Sequence, residues 1–250
     1  MRRNNLIILL IALVTSFPFM NAQAQDHYAH FRLVNFLEAP TAELSVTNLE
    51  NGQQKVIKMD YGESINYIKL TPQHYRFSLI IKNKKVLEKE FVMGAKGFYT
   101  LVIAGMLSDK IETNQQTTLF KLKKLLGGET KDDNNFLPQW YMLRDNYDGS
   151  TSAAYVRFVN INPSSTLLSL KKEESKLFEE IPYPHVTDIK KIKEGNHTYR
   201  VSKGDITVSE FKLTTTAGHI YTLVTGANLN NAKQLETIIL ENKAKYLLTP

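Results

Sequence analysis

The sequence predicts an all-β protein built from two tandem antiparallel β-sandwich modules of the immunoglobulin-like or jelly-roll-like kind. Short alternating or apolar segments are separated by frequent turn signals, and no segment sustains a 3.6-residue period. The most apolar segment of the mature chain, residues 97–105, is restated at residues 218–226. Further residue pairs keep the same order and nearly the same spacing, which indicates an internal repeat.

The first module is predicted over residues 25–126. An Asn51-Gly52 pair favours a tight hairpin between its second and third strands, because both residues tolerate positive φ. Residues 117–122 are a candidate last strand, and residues 123–126 could instead form a short helical turn. The other predicted strands lie at residues 28–35, 41–47, 54–59, 65–70, 75–81, 86–92 and 97–105.

A connection is predicted over residues 127–152, because residues 129–135 are polar and glycines precede them. The second module, residues 153–250, then restates the first. Arg157 repeats Arg32, Tyr199 repeats Tyr75, and Tyr221 repeats Tyr99. Residues 234–240 take the place of the candidate last strand at 117–122.

The amino terminus predicts export. Residues 1–24 have a short basic start, an apolar stretch and small residues before a cleavage position, as in a secretory signal peptide. The chain has no cysteine, which excludes disulfides, thiolate metal sites and a lipoprotein anchor. Removal of Arg2 and Arg3 lowers the formal charge from +6 to +4. We therefore expect a periplasmic or secreted protein with no nucleic-acid partner and no membrane span after signal removal.

The repeated motifs carry a family resemblance. Arg-Phe-Val-Asn at residues 157–160, with its counterpart at 32–35, and the Tyr-Thr-Leu-Val segments at residues 99–102 and 221–224, each closed by a glycine, resemble DUF4397 modules. The arrangement of two such modules behind a signal peptide is also similar to the AlgF family of alginate biosynthesis proteins. This resemblance implies a periplasmic, non-catalytic partner in O-acetylation of an exopolysaccharide. It also implies partners among the proteins of an acetylation complex.

Catalytic and metal-binding patterns are weak in this sequence. It has no nucleophile elbow, and its paired carboxylates lie in hydrophilic runs, so we expect no enzyme activity and no cofactor. Residues 145–150 contain oxygen ligands but lack the distal glutamate of a calcium loop, which favours a turn. We expect no metal site, although cleavage after Ala24 would leave His27 at the third position, where copper or nickel can bind. Cyclisation of Gln25 would abolish that site.

Four residues are candidate binding residues. Arg32 and Arg157 lie on the predicted polar face of each module's first strand, where they could form ion pairs with neighbouring strands or bind a partner's carboxylate. Trp140 and Tyr141 belong to an apolar strip at residues 136–143. That strip could stack on sugars or a partner, or pack between the two modules.

The leading functional expectation is an accessory protein of exopolysaccharide O-acetylation that acts through protein–protein contacts in the periplasm. The alternative is a secreted or cell-surface β-sandwich protein that binds polysaccharide directly, with an anionic polysaccharide as the candidate partner. A hydrolase or transferase with an unrecognised site is a third hypothesis.

Overall fold

A computed structural model describes residues 27–39, 41–106, 137–147, 152–163, 167–227 and 234–243. Its regular elements within these ranges are all strands. The first half contains β1 (Ala29–Glu38), β2 (Ala42–Asn48), β3 (Gln54–Met59), β4 (Glu63–Ser64), β5 (Ile68–Leu70), β6 (His74–Ile81), β7 (Lys84–Val92), β8 (Phe98–Met106) and β9 (Gln139–Arg144). The second half contains β10 (Ala154–Asn160), β11 (Leu167–Lys172), β12 (Ser175–Pro182), β13 (His185–Val186), β14 (Lys190–Ile192), β15 (Gly195–Lys203), β16 (Ile206–Thr215), β17 (His219–Ala227) and β18 (Leu235–Lys243).

Each half forms a sandwich of two sheets with the same strand order. In the first module the inner sheet has the order β4-β1-β8-β9, with β5 also pairing with β1, and the outer sheet has the order β3-β2-β6-β7. In the second module the inner sheet is β13-β10-β17-β18, with β14 beside β10, and the outer sheet is β12-β11-β15-β16. The predicted all-β tandem sandwich is therefore confirmed.

The repeat extends to strand register. The first strand of each module pairs in parallel with the penultimate strand of its inner sheet, and Arg32 opposite Thr100 corresponds to Arg157 opposite Thr222. The two sheets of each module enclose a separate apolar core. The largest fully buried side chains of these cores include Phe31, Leu33, Phe77, Leu101, Phe158, Tyr199, Tyr221 and Leu223.

The last strand of the first module is β9, which lies inside the predicted connection at residues 127–152. Gln139–Arg144 pairs antiparallel with β8, as Leu235–Lys243 pairs with β17. The candidate last strand at residues 117–122 and the predicted signal peptide lie outside the described residues. The predicted strand at 65–70 is reduced to Ile68–Leu70, and the predicted turn before it contains the short strand β4.

The two inner sheets pack face to face, so the sheets stack in four layers. A third apolar core joins the modules and includes Val34, Phe36, Val102, Leu143, Val159, Val224 and Leu240. Consequently β1 and β10 are buried on both faces, which is why almost every residue of these strands is inaccessible. The prediction of an accessible polar face on the first strands was wrong, because that face meets the other module.

Candidate functional site

Arg32 and Arg157 lie between the modules, only 4% and 5% exposed. On their strands they share a face with Val34 and Val159, which belong to the inter-module core. The structure therefore brings the two predicted arginines together in the interior rather than on an accessible surface. In this position neither guanidinium can receive a carboxylate from an outside partner while the modules remain packed.

The two arginines bind their surroundings in matching ways. The Nε of Arg32 donates to Thr100 Oγ1 at 2.6 Å, and the Nε of Arg157 donates to Thr222 Oγ1 at 3.2 Å. Each Nη1 reaches the last strand of the other module. Arg32 donates to the Glu241 carbonyl at 3.5 Å, and Arg157 donates to the Arg144 carbonyl at 3.2 Å. A pseudo-twofold rotation that exchanges the two modules therefore maps the contacts of Arg32 onto those of Arg157.

A single carboxylate serves both arginines. Asp145 Oδ1 accepts from Arg157 Nη2 at 2.6 Å, and Asp145 Oδ2 lies 3.6 Å from Arg32 Nη2. The side chain of Asp145 is fully buried. Thr100 and Tyr67 also donate to Oδ2, the latter at 2.7 Å. Because a buried charge is tolerated only when it is paired and hydrogen-bonded, this cluster ties the two modules together.

The cluster carries one more positive charge than negative. Burial lowers the pKa of Arg32, although Tyr67 and Asp145 act in the opposite direction. Its guanidinium lies over the Tyr67 ring, with Cζ 4.5 Å from the ring centroid, which adds a cation–π contact. Burial and the nearby Asp145 carboxylate raise the pKa of Tyr67, so its phenol remains a donor at neutral pH.

Asp145 was missed as a site residue at the level of sequence, where it was assigned to a turn. The internal repeat contained a usable signal. The two repeat-related arginines on predicted strands could each pair with a carboxylate, and Asp145 lies two residues after the apolar strip at residues 136–143. The burial of both sheet faces, which makes that carboxylate essential, is not visible in the local pattern.

Trp140 and Tyr141 point to opposite sides of β9. Trp140 packs against the core of the first module, with its ring 6.3 Å from that of Phe91 in an edge-to-face contact. Tyr141 packs against the inter-module core and donates to Gln139 Oε1 at 2.7 Å. Both side chains are partly buried. Because side chains alternate between the two faces of a strand, neighbouring residues of this strip pack into different cores.

A groove remains accessible beside this strand. We call it the side groove; its volume is about 530 Å³. It is lined by residues of β7, β9, β10 and β13: Lys89, Phe91, the consecutive residues 140–144, Arg157 and Val186. Its walls therefore come from both modules, and it contains both aromatic candidates of the sequence, Trp140 and Tyr141.

The possible metal ligands of the described ranges do not converge. No group of three or more histidine, aspartate or glutamate side chains in them is placed to hold a metal ion. His27 is exposed, whereas residues 25 and 26, which would supply the other nitrogen ligands, are not described. Likewise, no helix in the described part of the chain is long and apolar enough to cross a membrane.

Comparison with protein families supports the resemblance for the second module. Residues 154–247 match the DUF4397 model, described as a domain of unknown function. The match begins with β10 and continues past the end of β18. Among curated proteins, none matches the chain.

Solved structures that align with the chain share little sequence with it. The Bacillus anthracis TIE protein aligns at 10% identity and a TM-score of 0.24, covering 85% of this chain and 34% of that protein, so the chain spans about a third of its length. A candidate cell adhesion protein from Bacteroides ovatus aligns at 9% identity and a TM-score of 0.21, with coverages of 86% and 96%. The fimbrial anchor protein Mfa2 from Porphyromonas gingivalis aligns at 7% identity and a TM-score of 0.22, with coverages of 86% and 98%.

Proposed function

We propose that this protein is an exported, non-catalytic binding protein that acts through protein–protein contacts. The observation that carries this proposal is the joining of the modules by one apolar core and one buried charge cluster. Two sandwiches held in this way form a rigid body, which presents strand edges and the side groove to partners. Rigid elements of this kind suit a binding role, because little conformational freedom is lost on association.

The finer proposal is an accessory role in exopolysaccharide biosynthesis and O-acetylation, in the periplasm. Its support is the sequence resemblance to the AlgF family, in the repeated Arg-Phe-Val-Asn and Tyr-Thr-Leu-Val motifs, together with the predicted signal peptide. The partners would be other proteins of an acetylation complex. In this role the chain would bind and position those proteins rather than carry out acyl transfer.

A second candidate function is direct binding of an anionic polysaccharide at the cell surface or after secretion. The side groove favours it, since Lys89 and Arg144 supply cations beside the Trp140 ring. Aromatic rings stack on sugar faces, and cations attract the carboxylates of uronate residues.

Co-purification from the periplasm tests the leading proposal. A tagged copy of the full chain should bring down proteins of an acetylation complex, and their absence would overturn the accessory role. Purified protein retained on a uronate polymer without any partner would instead support the second candidate. Turnover of an acyl ester by pure protein, lost on changing one serine or histidine, would overturn the non-catalytic proposal.

A further inference from the structure

The side groove runs along the edge of strand β9 that faces away from β8. Five consecutive residues of this strand, from Trp140 to Arg144, line the groove. Successive side chains of a strand point to opposite faces, so only an edge can present consecutive residues to one groove. Within the described part of the chain, β9 pairs with β8 alone, and its other edge has no strand partner.

The backbone of β9 offers hydrogen-bonding groups along this edge. The amide of Asp145 donates to the Phe98 carbonyl, which assigns alternate residues of β9 to the ladder with β8. By this alternation the amide and carbonyl groups of Trp140 and Met142 face away from β8. The carbonyl of Arg144 has the same orientation and accepts from Arg157 of the second module. An added strand could therefore pair with Trp140 and Met142.

The groove is cationic. Its lining residues include Lys89, Arg144 and Arg157 but no carboxylate. The Arg157 guanidinium is bound to Asp145, so the cations that remain for a ligand are Lys89 and Arg144. Neither forms an ion pair among the described residues, and Lys89 Nζ lies 5.5 Å from the centroid of the Phe91 ring.

The second module lacks these features at the equivalent positions. Strand register makes Ser209 the counterpart of Lys89, Thr237 that of Trp140, and Glu241 that of Arg144. Ser209 and Thr237 approach each other, with their hydroxyl oxygens 3.4 Å apart. The groove beside them contains Glu210. The edge of β18 in the second module therefore has the same place in the fold as that of β9, but it has smaller side chains and no cation at these positions.

We propose that the edge of β9 binds an extended acidic peptide segment of a partner protein, which adds as a further strand. The exposed edge supplies main-chain hydrogen bonds, and the aromatic rings of Trp140 and Phe91 contact apolar side chains of the peptide. Lys89 and Arg144 select glutamate or aspartate side chains. The inference rests on the proposed function, since it gives a protein–protein contact a location and a chemistry.

Fluorescence provides a direct test, because Trp140 is the only tryptophan of the chain. The full mature protein would be titrated with a capped peptide of alternating glutamate and valine. We expect a saturable change in Trp140 emission with one peptide bound per chain, weakened by added salt. The variant Lys89→Glu/Arg144→Glu should weaken binding at least about tenfold.

Two controls make the result specific. The variant Lys203→Glu/Lys212→Glu changes two exposed lysines of the second module by the same charge, and it should bind as the unaltered protein does. A peptide that is N-methylated at alternate residues keeps its charge but loses the backbone donors, and it should bind about tenfold more weakly. Circular dichroism of each variant verifies that the sheets are retained.

Any one of these results would overturn the proposal: no emission change, equal weakening in both charge variants, unchanged affinity of the N-methylated peptide, or tighter binding of a uronate octasaccharide. Self-association that is lost in Lys89→Glu/Arg144→Glu would also overturn it, because the occupant would then be a second copy. The proposed function is tested separately. If this variant still co-purifies with the periplasmic partners, the protein–protein role stands and the β9 edge is not its site.

Discussion

Asp145 and Asn242 occupy equivalent positions at the ends of the last strands of the two modules, and only Asp145 carries a charge. Both lie beside the Tyr67 hydroxyl, which is 2.7 Å from Asp145 Oδ2 and 2.9 Å from Asn242 Oδ1. The repeated arginines face these two positions from either module. The duplicated fold thus holds two guanidinium groups and one carboxylate in a single buried cluster.

Removing the carboxylate should destabilise the whole molecule. Asp145→Asn keeps the shape of the side chain but leaves Arg32 and Arg157 buried without a counter-charge. We expect a loss of about 3–5 kcal/mol in the free energy of unfolding, measured by urea denaturation. Asp188→Asn, at an exposed aspartate, is the matched control and should change the free energy by less than about 0.5 kcal/mol. A small effect of Asp145→Asn would mean that the modules do not depend on this ion pair.

Moving the charge to the other module should restore part of that stability. In Asp145→Asn/Asn242→Asp the new carboxylate follows Glu241, whose carbonyl already accepts from Arg32. We expect the double variant to recover at least about half of the loss caused by Asp145→Asn, as a double-mutant cycle would measure. Strictly additive effects would contradict the pseudo-twofold exchange of roles.

The buried phenol should make stability fall in alkali. The pKa of Tyr67 is raised above its usual value of about 10. The folded state therefore holds this proton more tightly, and the stabilisation is complete below about pH 10 and is lost as the pH rises further. Burial raises the pKa of Tyr61 and Tyr199 in the same direction, whereas the lowered pKa of Arg32 acts oppositely.

The contribution of Tyr67 can be isolated by comparing slopes. Urea midpoints between pH 8 and 11 should fall less steeply for Tyr67→Phe than for the unaltered protein. The comparison uses the slope, because the loss of the hydrogen bond to Asp145 lowers stability at every pH. Identical slopes would show that this phenol does not contribute to the alkaline loss.

The apolar half of the module interface depends on a glycine. A Cβ at Gly226 would overlap with Cδ1 of Phe36, whose ring is almost fully buried in the inter-module core. Gly226→Ala should therefore cost about 1–3 kcal/mol in unfolding free energy through overpacking. Adding Phe36→Leu should return part of this loss. If Gly226→Ala is neutral, the interface has room that this packing does not indicate.

Much of the strand pattern could be predicted because it is local. Alternating apolar residues and turn dipeptides placed most strands of the first module within a few residues of their positions. The repeated Tyr-Thr-Leu-Val segments correctly indicated two copies of one module. Strand β9 escaped prediction because its residues, 139–144, follow a long polar stretch and read as an isolated apolar strip.

The candidate site was less predictable, because the exposure of its side chains depends on what covers each face of their strands. A polar residue on a strand with one buried face is expected to be exposed. On that basis Arg32 and Arg157 were predicted to be binding residues. The packing of the two inner sheets buries the second face as well. The same packing divides Trp140 from Tyr141, so that one aromatic residue belongs to the first core and the other to the core between modules.

The sequence by itself determined most of the strand pattern, the duplication and the family resemblance of the motifs, because these depend on short-range periodicity and on repetition within the chain. Only the tertiary structure decided that the modules pack through their inner sheets, that Asp145 pairs with arginines from both copies, and that cations lie beside the edge of β9. These features arise from contacts between residues far apart in the chain. The free energy of such contacts depends on burial and charge pairing, which no local pattern contains.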